Sequence, residues 1–353
     1  MSALVLCRVV DPHGWAYLDA QAPVHGLTWQ WDYPGGPTSA ELSLDAPADA
    51  HIRHLSVGAT LTIHRGGILW QGRVAEIDRD GWRVKVDGLA GLVAQEPVAT
   101  TGSLDAIVDA AIADGLPLTR PASLSSTVWG QDSGGSTDLS TTTLDQPLGE
   151  VLTAEGKYWR VDLAGRITAE TAPTKPALIV SAHTAPPLTL NTYATRITAT
   201  YGTYDSGGQT RATVTVVDAK AEAKFGRVSR SIDLTRFGGI SATSAQGKAQ
   251  AYLNRVSPHM VVSGEFAVTP GQVTTASGGP VDLPQLRPGV VARIQLVTLV
   301  RDRLVVPTSA VDMLIGRVRY DADAGTAALS PTESAPDPLA VMFGGRATRT
   351  DLT

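Results

Sequence analysis

The alternation of apolar and polar positions is sharpest between residues 55 and 93. Thr60-Leu61-Thr62-Ile63-His64 alternates with period two and meets the glycine turn Arg65-Gly66-Gly67. It returns as Ile68-Leu69-Trp70-Gln71-Gly72-Arg73-Val74-Ala75-Glu76-Ile77. After the acidic turn Asp78-Arg79-Asp80-Gly81, Trp82-Arg83-Val84-Lys85-Val86 alternates again, so three antiparallel strands are expected in chain order. Upstream, Leu27-Thr28-Trp29-Gln30-Trp31 and Ala40-Glu41-Leu42-Ser43-Leu44 flank the turn Pro34-Gly35-Gly36-Pro37, which predicts a second hairpin in the same sheet. Residues 1–98 therefore read as one β-barrel or sandwich module.

The period then becomes helical. Leu104, Ile107, Val108, Ala111 and Ile112 share one face behind a Ser103 N-cap, and Gly115 stops the helix. A Ser/Thr/Gly-rich connector over 123–143 leads to a second short helix with Pro147 near its start, Leu148, Val151 and Leu152 facing inward, and Gly156 at its end. The segments 158–162 and 166–170 predict a tight hairpin, and residues 99–187 form a small α+β insert. Strands resume at 195–201 and 211–217. A third helix is expected near 243–256, where Ala245, Ala249, Tyr252, Leu253 and Val256 align. With the β-run that follows, residues 188–330 read as a second module, and 331–353 as an extended, Pro-rich tail.

The two modules echo each other. Leu55-Ser56-Val57-Gly58 introduces a strand, Gly72-Arg73-Val74 lies in the next, and an Asp/Gly turn follows. Leu286-Arg287-Pro288-Gly289, Gly316-Arg317-Val318 and Asp321-Ala322-Asp323-Ala324-Gly325 repeat that order, which suggests duplication of one β-module around the insert.

Composition narrows the function. The chain has 353 residues and a formal net charge of -5, so no broad basic surface grips phosphates and sequence-specific nucleic-acid binding is disfavoured. Its single cysteine, Cys7, rules out an intrachain disulfide and a multi-cysteine zinc cluster. The N-terminal apolar run is cut by Arg8 and reads as a first strand rather than a signal peptide, and no apolar run reaches membrane-spanning length.

In ordered pattern, the chain resembles the tail hub (baseplate hub, minor tail) proteins of tailed bacteriophages. The resemblance rests on Leu55-Ser56-Val57-Gly58 with Gly66-Gly67-Ile68-Leu69-Trp70-Gln71-Gly72, on Asp145-Gln146-Pro147-Leu148-Gly149-Glu150-Val151-Leu152 before Tyr158-Trp159-Arg160-Val161-Asp162, and on Thr195-Arg196-Ile197-Thr198-Ala199-Thr200-Tyr201. It continues through Phe225-Gly226-Arg227 with Ser229-Arg230-Ser231-Ile232, Ala251-Tyr252-Leu253 and Leu286-Arg287-Pro288-Gly289. It implies a β-dominated (α+β) fold: two related tube-type β-barrel modules, separated by a small helical insert and assembling as a ring. It further implies a structural virion protein without catalysis or cofactor. Three copies would form a pseudo-sixfold hub between the hexameric tail tube or distal tail ring and the tail tip, fibre or tape-measure protein. DNA would pass through without specific binding. Such a chain is made in the host bacterial cytoplasm, inserts in no membrane and resides in the virion. A hexameric distal tail protein and a carbohydrate-binding or cell-wall hydrolase tail protein are the alternatives.

Candidate functional residues follow from that reading. Asp78, Asp80, Asp321 and Asp323 are candidates to line a DNA channel, where carboxylates repel passing phosphates. Leu339, Val341, Met342 and Phe343 form an apolar run in the tail suited to docking on a neighbour. Asp132-Ser133-Gly134-Gly135 matches a protease nucleophile loop but has no histidine in the expected context, and reads as a Ser/Gly linker. His51 and His54 read as surface residues, the Asp321/Asp323 turn lacks the pattern of a calcium loop, and the tryptophans on alternating strands read as core or interface aromatics rather than a sugar platform.

Overall fold

The computed structural model describes residues 6–10, 16–17, 24–44, 56–65, 67–78, 83–129, 139, 142–182, 194–205, 208–235, 239–256, 264–296, 298–300, 303–305 and 310–332. The first module contains β1 (Leu6–Val10), β2 (Ala16–Tyr17), β3 (Val24–Asp32), β4 (Gly36–Leu44), β5 (Thr60–His64), β6 (Ile68–Asp78) and β7 (Arg83–Gly88), followed by a one-turn helix α1 (Leu89–Val93). All its pairings are antiparallel. The period-two pattern sets the faces: Ala40, Leu42, Leu44, Val84 and Val86 are buried, while Arg83 and Lys85 lie on the other side, where they pair with Glu41 and Glu76.

The insert contains a short pair β8 (Gly102–Ser103) and β9 (Val128–Trp129), helices α2 (Leu104–Ala113) and α3 (Asp145–Ala154), and the hairpin β10 (Lys157–Val161) and β11 (Ile167–Thr171). Ser103 Oγ accepts the Ala106 N–H and caps α2, as the sequence predicts. Leu104, Ile107, Val108, Leu148 and Leu152 form the centre of its core. Each such side chain contributes roughly 1.5–3 kcal/mol on burial.

The next strand, β12 (Pro176–Ala182), pairs in parallel with β18 (Val291–Leu296) and so belongs to the main sheet, although it precedes the boundary expected at 187. Residues 194–256 build their own layer: β13 (Arg196–Asp205), β14 (Gly208–Val217), α4 (Ala219–Phe225), β15 (Ser229–Asp233) and α5 (Ala242–Val256). These three strands pair among themselves, and Ala245, Ala249, Tyr252 and Leu253 of α5 close a separate core against Ile197, Ala199 and Tyr201. The helical stripe near 243–256 is thus buried on one face, against the sheet of β13–β15.

That run supplies β16 (Phe266–Val268), β17 (Val273–Thr275), β18, a side hairpin of β19 (Thr298–Val300) and β20 (Arg303–Val305), the long β21 (Ala310–Asp321) and β22 (Thr326–Pro331). The seven strands of the first module join β12, β16, β17, β18, β21 and β22 in one sheet of thirteen strands, because β21 pairs antiparallel with β3. Its inward faces close on a single apolar core, from Val9, Leu61 and Ile63 through Trp29, Trp31 and Trp70 to Val180, Ile294, Met313 and Leu329. The fold is β-dominated with few helices, and none of the described helices is long and apolar enough to cross a membrane.

The echo in sequence has a counterpart in pairing. β6 pairs with β5 along its first half, to Arg73, and with β7 along its second half, from Gly72. β21 pairs with β18 up to Leu314 and with β22 from Ile315. In both, the glycine of Gly-Arg-Val stands where the long strand leaves one neighbour for the next. A Cβ at Gly72 would strike the Asp87 carbonyl and the Trp70 ring, and one at Gly316 would strike the backbone of Pro331 and Thr332. The entry turns match as well. Gly58 (φ 88°) donates its N–H to Val74 at 2.8 Å, and Gly289 (φ 82°) donates to Ile315 at 2.8 Å.

Candidate functional site

The seam where β21 meets β3 gathers residues from distant parts of the chain. β3 carries Trp29, Trp31 and Asp32, and β21 carries Arg317 and Tyr320 in the facing register. The Trp29 and Tyr320 rings lie 4.6 Å apart, and Arg317 Nε donates to Asp32 Oδ1 at 2.6 Å. Asp32 Oδ2 also accepts from Gln30 and Thr38, so one carboxylate ties three strand positions. Across the seam Arg65, just after β5, pairs with Asp282, and that hydrogen bond holds the guanidinium above its ordinary pKa. Burial pushes the Tyr320 hydroxyl up.

Arg287 crosses the seam from the Leu286-Arg287-Pro288-Gly289 turn. Its guanidinium lies 4.2 Å over the Trp31 ring and donates to the backbone carbonyls of Leu69, Pro284 and Leu286. Burial, with a smaller effect of Arg160, lowers its pKa to about 10, which leaves it cationic at neutral pH. The sequence marks this turn as a motif but gives the arginine no role; a lone Arg before Pro-Gly carries no sign of the indole it will cover.

A cleft of about 480 Å³ opens along the seam, with Val24, Leu27, Val281, Leu283 and Tyr320 among its walls and Asp323 beside it. Asp323 Oδ2 accepts the Gly26 N–H at 2.7 Å, and Asp321 Oδ1 accepts the Ala324 N–H at 2.9 Å. Asp321 therefore organises its own turn, and Asp323 ties that turn to β3. Asp78 ends β6 opposite Arg83. The register Asp321–Thr28–Glu41–Lys85–Glu76 places Asp78 and the Asp321/Asp323 turn at the same end of the sheet, four strands apart. Asp80 and the tail residues Leu339, Val341, Met342 and Phe343 lie outside the described residues, as do His51, His54, Trp82 and the Asp132-Ser133-Gly134-Gly135 segment.

Trp29, Trp31, Trp70 and Trp159 are buried, the core branch of the core-or-interface reading. Cys7 is buried too, and burial pushes its thiol up to about 12. Among the described residues no three His, Cys, Asp or Glu side chains gather as metal ligands.

No family model and no curated protein matches the sequence. Solved structures do match. The 43 kDa tail protein of prophage MuSo2 from Shewanella oneidensis aligns over 96% of this chain and 99% of its own, with a TM-score of 0.56 and 14% identity. The chain has the fold of phage tail proteins. Prophage tail protein gp18 of Listeria monocytogenes EGD-e gives a TM-score of 0.56 at 12% identity, over 92% of this chain and 94% of that one. The tail protein of Neisseria meningitidis MC58 gives 0.52 at 12% identity, over 92% and 95%. The phage-tail fold therefore extends through the insert and the 194–256 layer as well as the main sheet.

Proposed function

We propose that the chain is a structural, non-catalytic component of a phage tail, a hub in which three copies close a ring and each copy offers two related β-modules to a sixfold partner. The observation that carries this reading is the repeated exchange of strand partners at Gly72 and Gly316. Two modules with the same long, switching strand give six similar positions from three chains, which is what docking onto a hexameric tail tube or distal tail ring requires. The fold shared with prophage tail proteins over nearly the whole chain supports the same reading.

The ring's opposite side meets the tail tip, fibre or tape-measure protein, and DNA passes through the centre during ejection. Asp78 and the Asp321/Asp323 turn, with Asp80 beside the former in sequence, supply negative charge at one rim of the sheet, which suits a conduit that must not hold phosphates. The protein is made in the host cytoplasm and resides in the virion.

Native mass spectrometry of the assembled chain, paired with negative-stain images, tests this. A three-copy mass and end-on views with six lobes are expected. A six-copy mass would replace the hub by a hexameric distal ring, and a monomer retained on host wall material would overturn the structural reading.

A further inference from the structure

The seam cleft has an apolar wall of Val24, Leu27, Val281, Leu283 and Tyr320 and a charged one of Asp323 with the paired Arg65 and Asp282. Its volume of about 480 Å³ lies within the roughly 300–1,000 Å³ of clefts that seat ligands. We propose that this cleft is the seat of the chain's own C-terminal run, Leu339-Ala340-Val341-Met342-Phe343, which folds back across the seam and clasps the two modules together. This goes beyond the hub reading and does not depend on it.

Three observations select that occupant. The first is reach. β22 starts directly after the turn that borders the cleft and runs six residues, about 20 Å, away from it at roughly 3.3 Å per residue. Six further residues, 333–338, could span about the same distance if extended, which is enough for Leu339 to reach the cleft. The second is composition. Pro336 and Pro338 favour an extended path that needs no hydrogen-bond partners, and the run they deliver is five apolar residues long. The third is charge. Arg346 and Arg349 follow the run, and the cleft is bordered by the acidic turn containing Asp321 and Asp323.

Disulfide trapping in the full chain tests the proposal, since native Cys7 is buried and out of the way. A Val281→Cys, Met342→Cys variant is oxidised at nanomolar concentration and mapped by peptide mass. The expected product is an intrachain cross-link. A Val128→Cys, Met342→Cys control, whose Val128 is exposed in the insert, should form it at least about tenfold more slowly, because a docked tail holds position 342 at the cleft. Equal rates at the two positions overturn the proposal. Cross-links only between copies overturn it in favour of a neighbour's tail.

A second measurement needs no engineered cysteine. A fluorescent peptide of residues 336–349 is titrated into the wild-type full chain and into a full-length Phe343→Asp variant. If the tail occupies the cleft nine-tenths of the time, the peptide binds the variant about tenfold more tightly than the wild type. Equal affinity, or no binding to either, overturns the proposal. The copy number measured on the same samples reports separately on the hub reading.

Discussion

The guanidinium carbon of Arg287 lies over the indole of Trp31, 4.2 Å from its centroid, and joins the last third of the chain to its first. The same group donates to the Leu69 carbonyl of β6, 218 residues away. One side chain thereby holds β3, β6 and the turn before β18 in a fixed arrangement.

Replacing Arg287 with Leu removes the cation–π contact and leaves buried carbonyls short of a donor. The expected loss is about 2–4 kcal/mol, read as a lower urea midpoint. Arg287→Lys keeps the charge but not the flat fork of donors, and should recover less than half of that loss.

The switching glycines are sterically fixed. Gly72→Ala and Gly316→Ala should each destabilise the chain by about 2–4 kcal/mol, since the methyl group meets backbone that cannot swing aside. Gly58→Ala, where a Cβ meets open space, should cost only about 1 kcal/mol for its positive φ. Thermal melts of the three variants provide the comparison; equal losses would remove the special status of the Gly-Arg-Val positions.

Cys7 should be inert in the folded chain. With its thiol raised to about 12, almost no thiolate exists at pH 8, so a thiol reagent should leave it unmodified until denaturant is added. Rapid labelling of native protein would show that the β1 edge opens.

Glu155 governs part of the acid response. Burial alone would raise its carboxyl, but hydrogen bonds from Ser125, Lys157 and Thr127 outweigh that and hold it below the usual glutamate value of 4.5. A depressed folded pKa means stability that is fully present above 4.5 and is lost as pH falls through the folded value. In Glu155→Gln the urea midpoint should therefore decline less steeply on acidification below pH 5 than in wild type. An unchanged slope would assign the acid limb elsewhere, for example to Asp105 or Asp162, whose carboxyls are also held low.

Local signals were readable in the amino-acid order, and long-range ones were not. The hairpins around Gly67 and Leu163-Ala164-Gly165, the Ser103-capped helix and the Ala245–Ala249–Tyr252–Leu253 stripe each carry their own period and punctuation, so they appear where expected. β12 could not be read in the same way: a parallel partner more than a hundred residues later leaves no turn between the strands. The same holds for the β3–β21 seam and for Arg287. The candidate aspartates are legible as turn residues; Asp321 organises its turn, while the bond from Gly26 to Asp323 is long-range and carries no local signal. Their placement at the same end as Asp78 emerges only from the register of five strands.

The antiparallel match of β3 with β21 also shapes how the protein is made. When β3 leaves the ribosome, the strand that completes its outer edge lies 285 residues downstream, at the spacing of Asp32 and Arg317. Until then the nascent chain carries an open, tryptophan-bearing edge that invites pairing with other nascent chains. Efficient production in a foreign host should therefore depend on chaperone capacity and slow translation more than on the final stability of the fold.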